Sequence, residues 1–392
     1  MTSTPTEVAP AAPSALRRLL PGAPAGREAR GSTLLRHLAV AVFFGTLVVL
    51  VTNQLAPYQN LQVARVCAFL CVTAGHTVLV GLNGQLSLGH GALMATGAYT
   101  MALTQQALDE RAVRGWWTLP ASLLAAVAVT ALGGLVVGLA AARLRGPYLA
   151  GVTLAVATLV PAVTTIFTGV FNGEQGLPFP AQTPPAALGA YFQPERWLAW
   201  IALAAALLTM LLLANLVRSR FGRSLRAVRD DEVAARLAGI PVARTQVLAF
   251  VVSAACAGLG GGVYAMLTAT VAPGKFPLDL SLFLLMAIVI GGLGSLAGAV
   301  WGAVLLVALQ DLPGLLTEHL DLSAGLAQRL EGNLALAVFG LILIVVMLAA
   351  PGGLQGGVRA VGARLRAARR SRRAPPPAPG PGPPPVHPPV AP

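Results

Sequence analysis

The side chains most able to do chemistry in this sequence stand together in one short glycine-rich stretch. Residues 81–98 read GLNGQLSLGHGALMATGA and place Asn83, Gln85, Ser87 and His90 between two long apolar runs. Amide, hydroxyl and imidazole groups can satisfy irregular backbone or line an aqueous route. Two interpretations remain open: close helix packing with polar end groups, or part of a translocation path or its gate.

Three further polar residues are candidates for pairing with a substrate or an ion, namely Arg65, His76 and Glu174. Arg65 and His76 are eleven residues apart, about three helical turns, so they share one face of a helix. Arg65 is expected to reach the membrane interface or to pair with an acid such as Glu174, and a substrate carboxylate is the third alternative. His76 is predicted to be a buried, hydrogen-bonded imidazole, because no second metal ligand is spaced with it.

Residues for covalent chemistry do not form a recognisable set. ATP hydrolysis would need G-x-x-x-x-G-K-[ST], and the single lysine, Lys275 in APGKFP, lacks the upstream glycine spacing and the following hydroxyl residue. Ion coupling would favour acids inside apolar segments, but Asp279, Glu174 and Asp311 lie at their edges. Paired carboxylates, a metal site or a base beside a nucleophile are likewise missing. We therefore predict a protein that is not an enzyme and carries no cofactor or metal.

The composition places the chain in a membrane. Of its 392 residues, 56% are hydrophobic and 10% are charged, whereas about one quarter of a soluble protein is charged. The net charge of +13 comes from arginines near the N-terminus, in one central loop and near the C-terminus. This grouping is typical of cytoplasmic segments under the positive-inside rule and argues against nucleic-acid binding.

Ten apolar stretches are candidate membrane crossings, each close to the length that a bilayer requires or short and interrupted by glycine. They are residues 37–56, 61–80, 89–107, 118–142, 148–170, 196–217, 247–271, 280–293, 296–310 and 333–350. With both termini cytoplasmic, every arginine-rich connection then falls on the same side. That count requires residues 279–310 to cross twice, with a break at GGLGSLAG.

The chain is therefore predicted to be an all-α polytopic membrane protein with about ten transmembrane helices. Residues 1–36 are expected to form a partly disordered cytoplasmic segment, residues 37–355 the transmembrane domain, and residues 356–392 a basic, then proline-rich, disordered cytoplasmic tail. The loop 218–246 holds seven arginines and three acids, which is too polar for the bilayer. Within it Asp230 or Asp231 can cap a short helix that Gly239 ends, so a partner surface is a stronger interpretation than a solvated connection.

Several motifs resemble, in order, permease subunits of ABC importers for branched-chain amino acids, the LIV family, and more closely the M-type than the H-type. They are FGRSLRAVRDDEVAARLAGIPVARTQVLAFVVSAACAGLGGGVYA at 221–265, GLNGQLSLGHGALMATGAY at 81–99, RLRGPYLAGVTLAVATL from Arg143, NGEQGL from Asn172 and IGGLGSLAGAVWGA from Ile290. The resemblance covers about residues 37–355. Glu174 departs from it, because the family usually has a glycine-rich TGG-type sequence before NGL.

The resemblance implies a type II ABC importer-like permease in a bacterial inner membrane. Its expected partners are a homologous second permease, two cytoplasmic ATPase subunits that supply the ATP hydrolysis, an external substrate-binding protein and the membrane lipid. The residues that the resemblance assigns to ATPase coupling are Arg229, Asp231, Glu232, Ala235 and Gly239. Branched-chain or related amino acids are the expected substrates. A urea or short-amide permease and an ion-coupled secondary transporter are the alternatives.

Overall fold

A computed structural model describes residues 28–113, 115–144, 147–189, 191–319, 337–338, 340–348 and 352–371. Most of the predicted N-terminal segment and the proline-rich end of the tail lie outside these residues. The helices are α1 (Glu28–Thr52), α2 (Pro57–His76), α3 (His90–Glu110), α4 (Thr118–Ala141), α5 (Pro147–Ile166), α6 (Thr168–Phe171), α7 (Pro194–Arg218), α8 (Arg220–Asp230), α9 (Glu232–Leu237), α10 (Val242–Met266), α11 (Leu278–Gly292), α12 (Leu296–His319) and α13 (Gly353–Ser371).

Short elements complete the described structure. A π-helical turn, Thr77–Leu82, continues α2, and residues 340–348 are helical. Single 3₁₀ turns lie at Gly173–Gln175, Ala186–Leu188 and Pro273–Lys275. The only sheet among the described residues is an antiparallel pair of two-residue strands, β1 (Leu177–Pro178) and β2 (Thr270–Val271), in which Leu177 faces Val271.

Eight described segments are long and apolar enough to cross a membrane. They are Leu35–Thr52, Pro57–Leu82, Thr118–Ala141, Tyr148–Ile166, Pro194–Arg218, Val242–Met266, Pro273–Gly292 and Gly340–Arg364. The two remaining predicted crossings are also helical: α3 is less apolar but mostly buried among its neighbours, and the apolar part of α12, Leu296–Leu312, is shorter. Helices shielded by protein need not present a fully apolar surface to lipid. The all-α polytopic fold is confirmed.

Helix α10 lies at the centre of the bundle and packs against α2, α3 and α4. Its small residues allow this, because a side chain at Gly261 would collide with the carbonyl oxygen of Met94 on α3. A side chain at Gly260 would lie 2.6 Å from the carbonyl oxygen of Ala68 on α2, and one at Gly258 2.8 Å from that of Ala126 on α4. Glycine therefore brings the backbones of three helices against one, as is common between membrane helices.

The predicted break in residues 279–310 is confirmed. Helix α11 ends at Gly292 and α12 begins at Leu296, and the two helices pack against each other as a hairpin. Gly292 and Gly294 have φ angles of 123° and 77°, which residues with a side chain rarely adopt. Two glycines thus reverse the chain where a single long helix would otherwise continue.

The basic part of the tail differs from the prediction of a disordered segment. Helix α13 covers Gly353–Ser371, and Arg359 donates a hydrogen bond of 2.9 Å to Ser295 in the α11–α12 turn. Alanine and arginine have high helix propensity, and the first proline of the tail comes only at Pro375. Helix α13 and the α11–α12 turn therefore lie at one end of the bundle.

Candidate functional site

The polar segment Asn83–His90 joins the π-helical turn to α3, and its residues 84–89 are not helical. All four predicted residues in it are buried: Asn83, Gln85, Ser87 and His90 are 3%, 7%, 1% and 0% exposed. The Asn83 Nδ2 donates to Gln85 Oε1 at 2.9 Å, so these two amides pair with each other. The segment is irregular, as predicted, and these four polar side chains lie inside the protein, whereas Leu86 between them is 51% exposed.

Helices α5 and α11 each contribute one hydroxyl group to this segment and the first turn of α3. Thr153 of α5 accepts a hydrogen bond of 3.0 Å from the backbone N–H of Leu88. Ser281 of α11 accepts one of 3.0 Å from the N–H of Gly91, in the first turn of α3. Without these hydroxyls the two backbone N–H groups would be unpaired in an apolar interior. The hydroxyls therefore fix the start of α3 against its neighbours.

Two histidines, His76 and His90, form the centre of a polar cluster that also includes Ser87 and Ser253. The rings of His76 and His90 are stacked, with centroids 3.8 Å apart and 14° between their planes. The two ring nitrogens of His90 lie 3.0 Å from Ser87 Oγ and 2.6 Å from Ser253 Oγ of α10. One imidazole therefore joins the polar segment to the central helix of the bundle.

His76 is a buried, hydrogen-bonded imidazole, as predicted. Its Nε2 lies 3.2 Å from the carbonyl oxygen of Ser87 and must carry the proton, because a carbonyl only accepts. Its Nδ1 is buried and has no hydrogen-bond partner among the described residues. No cluster of three metal-ligating side chains occurs within the part of the chain that the structure describes.

Arg65 meets an acid, but that acid is Asp311 of α12 rather than Glu174. The guanidinium Nη1 lies 3.3 Å from Asp311 Oδ1, and both side chains are partly exposed, at 34% and 22%. Glu174 is exposed in the turn Gly173–Gln175, and His76 belongs to the polar cluster. The three residues predicted as substrate or ion partners are therefore not brought together.

Helix α9 has the two ends that the sequence predicts. Asp231 Oδ1 accepts hydrogen bonds from the backbone N–H groups of Val233 and Ala234, at 2.7 and 3.0 Å. At the other end Gly239 has a φ angle of 80°, and its N–H and that of Ile240 bond back to the last turn. A helix of six residues is thus held by its caps rather than by its length.

The faces of α9 divide into one that packs on the protein and one that faces outward. Ala235 is 4% exposed and packs with Val228 and Val242, so it supports α9 and its side chain is not available to a partner. Glu232 accepts a hydrogen bond of 2.8 Å from Gln246 Nε2 of α10. The assignment of Ala235 to a partner contact is therefore corrected, and Glu232 ties α9 to the central helix.

Val233 and Leu237 form the outward face of α9. They are 67% and 85% exposed and stand four residues apart, so they lie on one side of the helix. Asp231 and Gly239 flank this apolar face as exposed residues. An exposed apolar pair on a capped helix outside the bundle is a surface suited to a partner.

Sequence reasoning missed Ser253, Ser281, Thr153 and Gln246, which complete the site. Each is an uncharged polar residue within an apolar run, and such residues are common in membrane helices, where most bond to their own backbone. Thr96 and Thr100 of α3, for example, bond to carbonyls four residues back. Only the packing of the helices distinguishes a hydroxyl that joins two helices from one that bonds to its own backbone.

Removing the cap of α9 provides a local test. Asp231→Ala is expected to destabilise α9 by about 1 kcal/mol, because two N–H groups lose their acceptor. Amide hydrogen exchange at residues 233–237 should then accelerate about fivefold, which is the factor that corresponds to this energy. Asp231→Ser keeps a capping oxygen and should retain most of the protection; equal exchange in the alanine variant and the wild type would contradict the capping role.

The fold and this site define a class of protein: a multi-pass helical membrane protein with a buried polar cluster and a capped helix that presents an apolar face outside the bundle. The polar segment, the central arginine-rich loop and the glycine hinge are the motifs that the resemblance uses. The chain belongs to the family described as "Branched-chain amino acid transport system / permease component", which it matches over residues 60–347.

Individual relatives agree with this family. The high-affinity branched-chain amino acid transport system permease protein LivM of Salmonella typhimurium is 35% identical over 266 residues, which are 62% of this chain and 61% of the relative. LivM of Escherichia coli K12 is 35% identical over 267 residues, with the same coverages. LivH of E. coli K12 is 25% identical over 298 residues, 74% of this chain and 91% of the relative. The greater similarity to LivM agrees with the predicted M-type.

The chain spans about three fifths of the length of the LivM relatives that it matches. No solved structure matches it.

Proposed function

We propose that this chain is a permease subunit of an ATP-driven importer for branched-chain or related amino acids. It forms half of the translocation path, beside a homologous second permease. Two cytoplasmic ATPase subunits bind the end of the bundle that carries α8 and α9, and an external binding protein delivers the substrate at the other end. The family and the names of the relatives support the substrate class.

The observation that carries this proposal is the construction of α9. A simple connection between α8 and α10 would need neither the two caps of α9 nor the exposed face formed by Val233 and Leu237. A rigid docking element needs both. The Glu232–Gln246 hydrogen bond then gives a movement of α9 a direct route to α10. The arginine-rich end of the bundle, with both termini, is cytoplasmic in a bacterial inner membrane, as the distribution of basic residues favours.

The decisive experiment is uptake of radiolabelled leucine into proteoliposomes that contain the whole complex, with external binding protein and with or without internal ATP. Wild-type uptake should require ATP. Uptake by the isolated chain under an ion gradient would overturn the ATP-driven mechanism. ATP-dependent uptake of urea without leucine would retain the mechanism and replace the substrate.

The partner surface is tested by the double substitution Val233→Asp and Leu237→Asp. Two carboxylates on the apolar face should reduce recovery of the ATPase with the tagged permease about thirtyfold, which corresponds to a binding hot spot of about 2 kcal/mol. ATP-dependent uptake should fall with it. The matched control is Leu188→Asp with Tyr191→Asp, because these apolar residues are also exposed, at 39% and 101%, and lie outside every segment able to cross a membrane. Unchanged ATPase recovery in the α9 variant would contradict the assigned docking face.

A further inference from the structure

Arg229, at the end of α8, has a side chain that is 43% exposed, but one nitrogen of its guanidinium reaches the bundle. Its Nη1 donates a hydrogen bond of 2.7 Å to the carbonyl oxygen of Gly81, at the end of the π-helical turn that continues α2. Its Nε and Nη2 donate to Asp230 Oδ1 at 3.2 and 3.1 Å, which fixes the plane of the guanidinium. The arginine that sequence assigns to ATPase contact therefore has an internal partner 148 residues away.

The acceptor is a carbonyl that the end of a helix leaves free. The neighbouring carbonyls of Leu79 and Val80 accept from the N–H groups of Gln85 and Gly84, whereas that of Gly81 accepts from Arg229. Carbonyls at a helix C-terminus carry partial negative charge, so a guanidinium is the favoured cap. The π-helical turn is itself an uncommon feature that occurs frequently at functional sites.

The space around Arg229 is made by glycine. A side chain at Gly84 would lie 2.9 Å from Cγ of Arg229, and one at Gly81 would collide with the backbone nitrogen of Gly294. Gly294 belongs to the α11–α12 turn, and a Cβ there would lie 3.8 Å from Nη1 of Arg229. Three chain segments therefore meet at this guanidinium: the end of α8, the end of α2 and the α11–α12 turn.

We propose that Arg229 is a positioning residue that transmits displacement of α8 and α9 to the end of α2 and hence to the polar segment Asn83–His90. This inference rests on the proposed function, since it assumes that ATPase subunits move α9. Gly81 is two residues from Asn83, so a displacement of its carbonyl moves the first residue of the polar segment. The Glu232–Gln246 bond carries the same movement to α10, which contacts His90 through Ser253. Both connections end at the same polar cluster.

The test measures leucine uptake and ATP hydrolysis in the same proteoliposomes of the whole complex. Arg229→Ala should reduce uptake per ATP hydrolysed about tenfold, within the range that a coupling free energy supplies, while hydrolysis stays close to the wild-type rate. Arg229→Lys keeps a positive charge beside the Gly81 carbonyl but loses the paired hydrogen bonds from Nε and Nη2 to Asp230. Its ratio of uptake to ATP hydrolysis should therefore lie between those of the wild type and Arg229→Ala. The matched control is Arg223→Ala, because Arg223 is, like Arg229, an exposed arginine of α8, but the one side-chain hydrogen bond that it makes among the described residues is to the carbonyl of Arg218.

A second measurement does not depend on transport. Nitroxide labels at Leu86→Cys and Leu237→Cys, both exposed, report the distance between the polar segment and α9 in the purified chain. Arg229→Ala should broaden that distance distribution, and Arg223→Ala should leave it unchanged. This readout tests the connection even if the wild-type complex transports no leucine, an outcome that would overturn the proposed function instead.

Either of two outcomes would overturn the role of Arg229. One is a ratio of uptake to hydrolysis equal to that of the wild type, with an unchanged label distance. The other is a loss of uptake and hydrolysis in equal proportion, because a residue that only stabilises the fold would lower the amount of active complex and leave the ratio intact.

Discussion

Replacing Gly261 with valine is expected to cost about 3 kcal/mol and to reduce sharply the yield of folded protein. The first atom of any side chain there would collide with the carbonyl oxygen of Met94, which is a backbone atom that cannot rotate away. Valine adds two further carbons, so α3 and α10 would have to separate. Size-exclusion chromatography of the detergent-solubilised protein, with its thermal unfolding midpoint, measures the effect.

The matched control for this substitution is Gly151→Ala. Gly151 lies in α5, and no atom lies within 4 Å of a side chain built on it. Alanine also has a higher helix propensity than glycine, so this variant should be as stable as the wild type or slightly more so. A Gly261→Val protein that elutes and unfolds like the Gly151→Ala protein would show that α3 and α10 do not touch through this residue.

Removing the imidazole of His90 should have an effect of similar size, a loss of about 3 kcal/mol of stability. His90→Ala leaves the hydroxyls of Ser87 and Ser253 without their shared partner, in a position where water does not reach. It also leaves a cavity beside the ring of His76. The thermal unfolding midpoint of the purified chain should fall, and leucine uptake by the complex should fall with it.

Two further variants make the result for His90 specific. His90→Gln retains an amide that can bond to one hydroxyl, so it should recover part of the lost stability. His37→Ala removes a histidine of α1 whose ring has one hydrogen bond among the described residues, at 3.1 Å to Asn215 of α7, and should cost about 1 kcal/mol. If His90→Ala and His37→Ala unfolded at the same temperature, the polar cluster would not be the fixed point that its geometry indicates.

Features that depend on a few neighbouring residues were predictable from the sequence. The cap at Asp231 and the end of α9 at Gly239 follow from local hydrogen bonding and from the freedom of glycine at positive φ. The irregular segment after α2 and the reversal in residues 279–310 follow from glycine and polar residues within apolar runs. Such features require no knowledge of which helices become neighbours.

Features that depend on helix packing were not predictable. Arg65 bonds to Asp311, 246 residues away, because α2 and α12 pack together, and no local rule ranks Asp311 above Glu174. Ala235 faces inward because α9 rests on Val228 and Val242, and a helix of six residues has too few turns for its pattern to indicate a buried face. The hydrogen bond from Arg229 to the Gly81 carbonyl likewise depends on packing that brings the end of α8 to the end of α2.

The contact of glycine with backbone around α10 limits how this protein can change shape. Where only side chains separate two helices, rotamer changes can absorb a small shift, but Gly261 faces main-chain atoms of α3, and Gly258 and Gly260 each lie against a carbonyl oxygen as well as side chains. Packed surfaces of this kind exchange between discrete arrangements and do not deform smoothly. Helices α2, α3, α4 and α10 are therefore expected to travel as one rigid body. The hinges of any alternating-access cycle then belong to the glycine turn between α11 and α12 and to the peripheral helices.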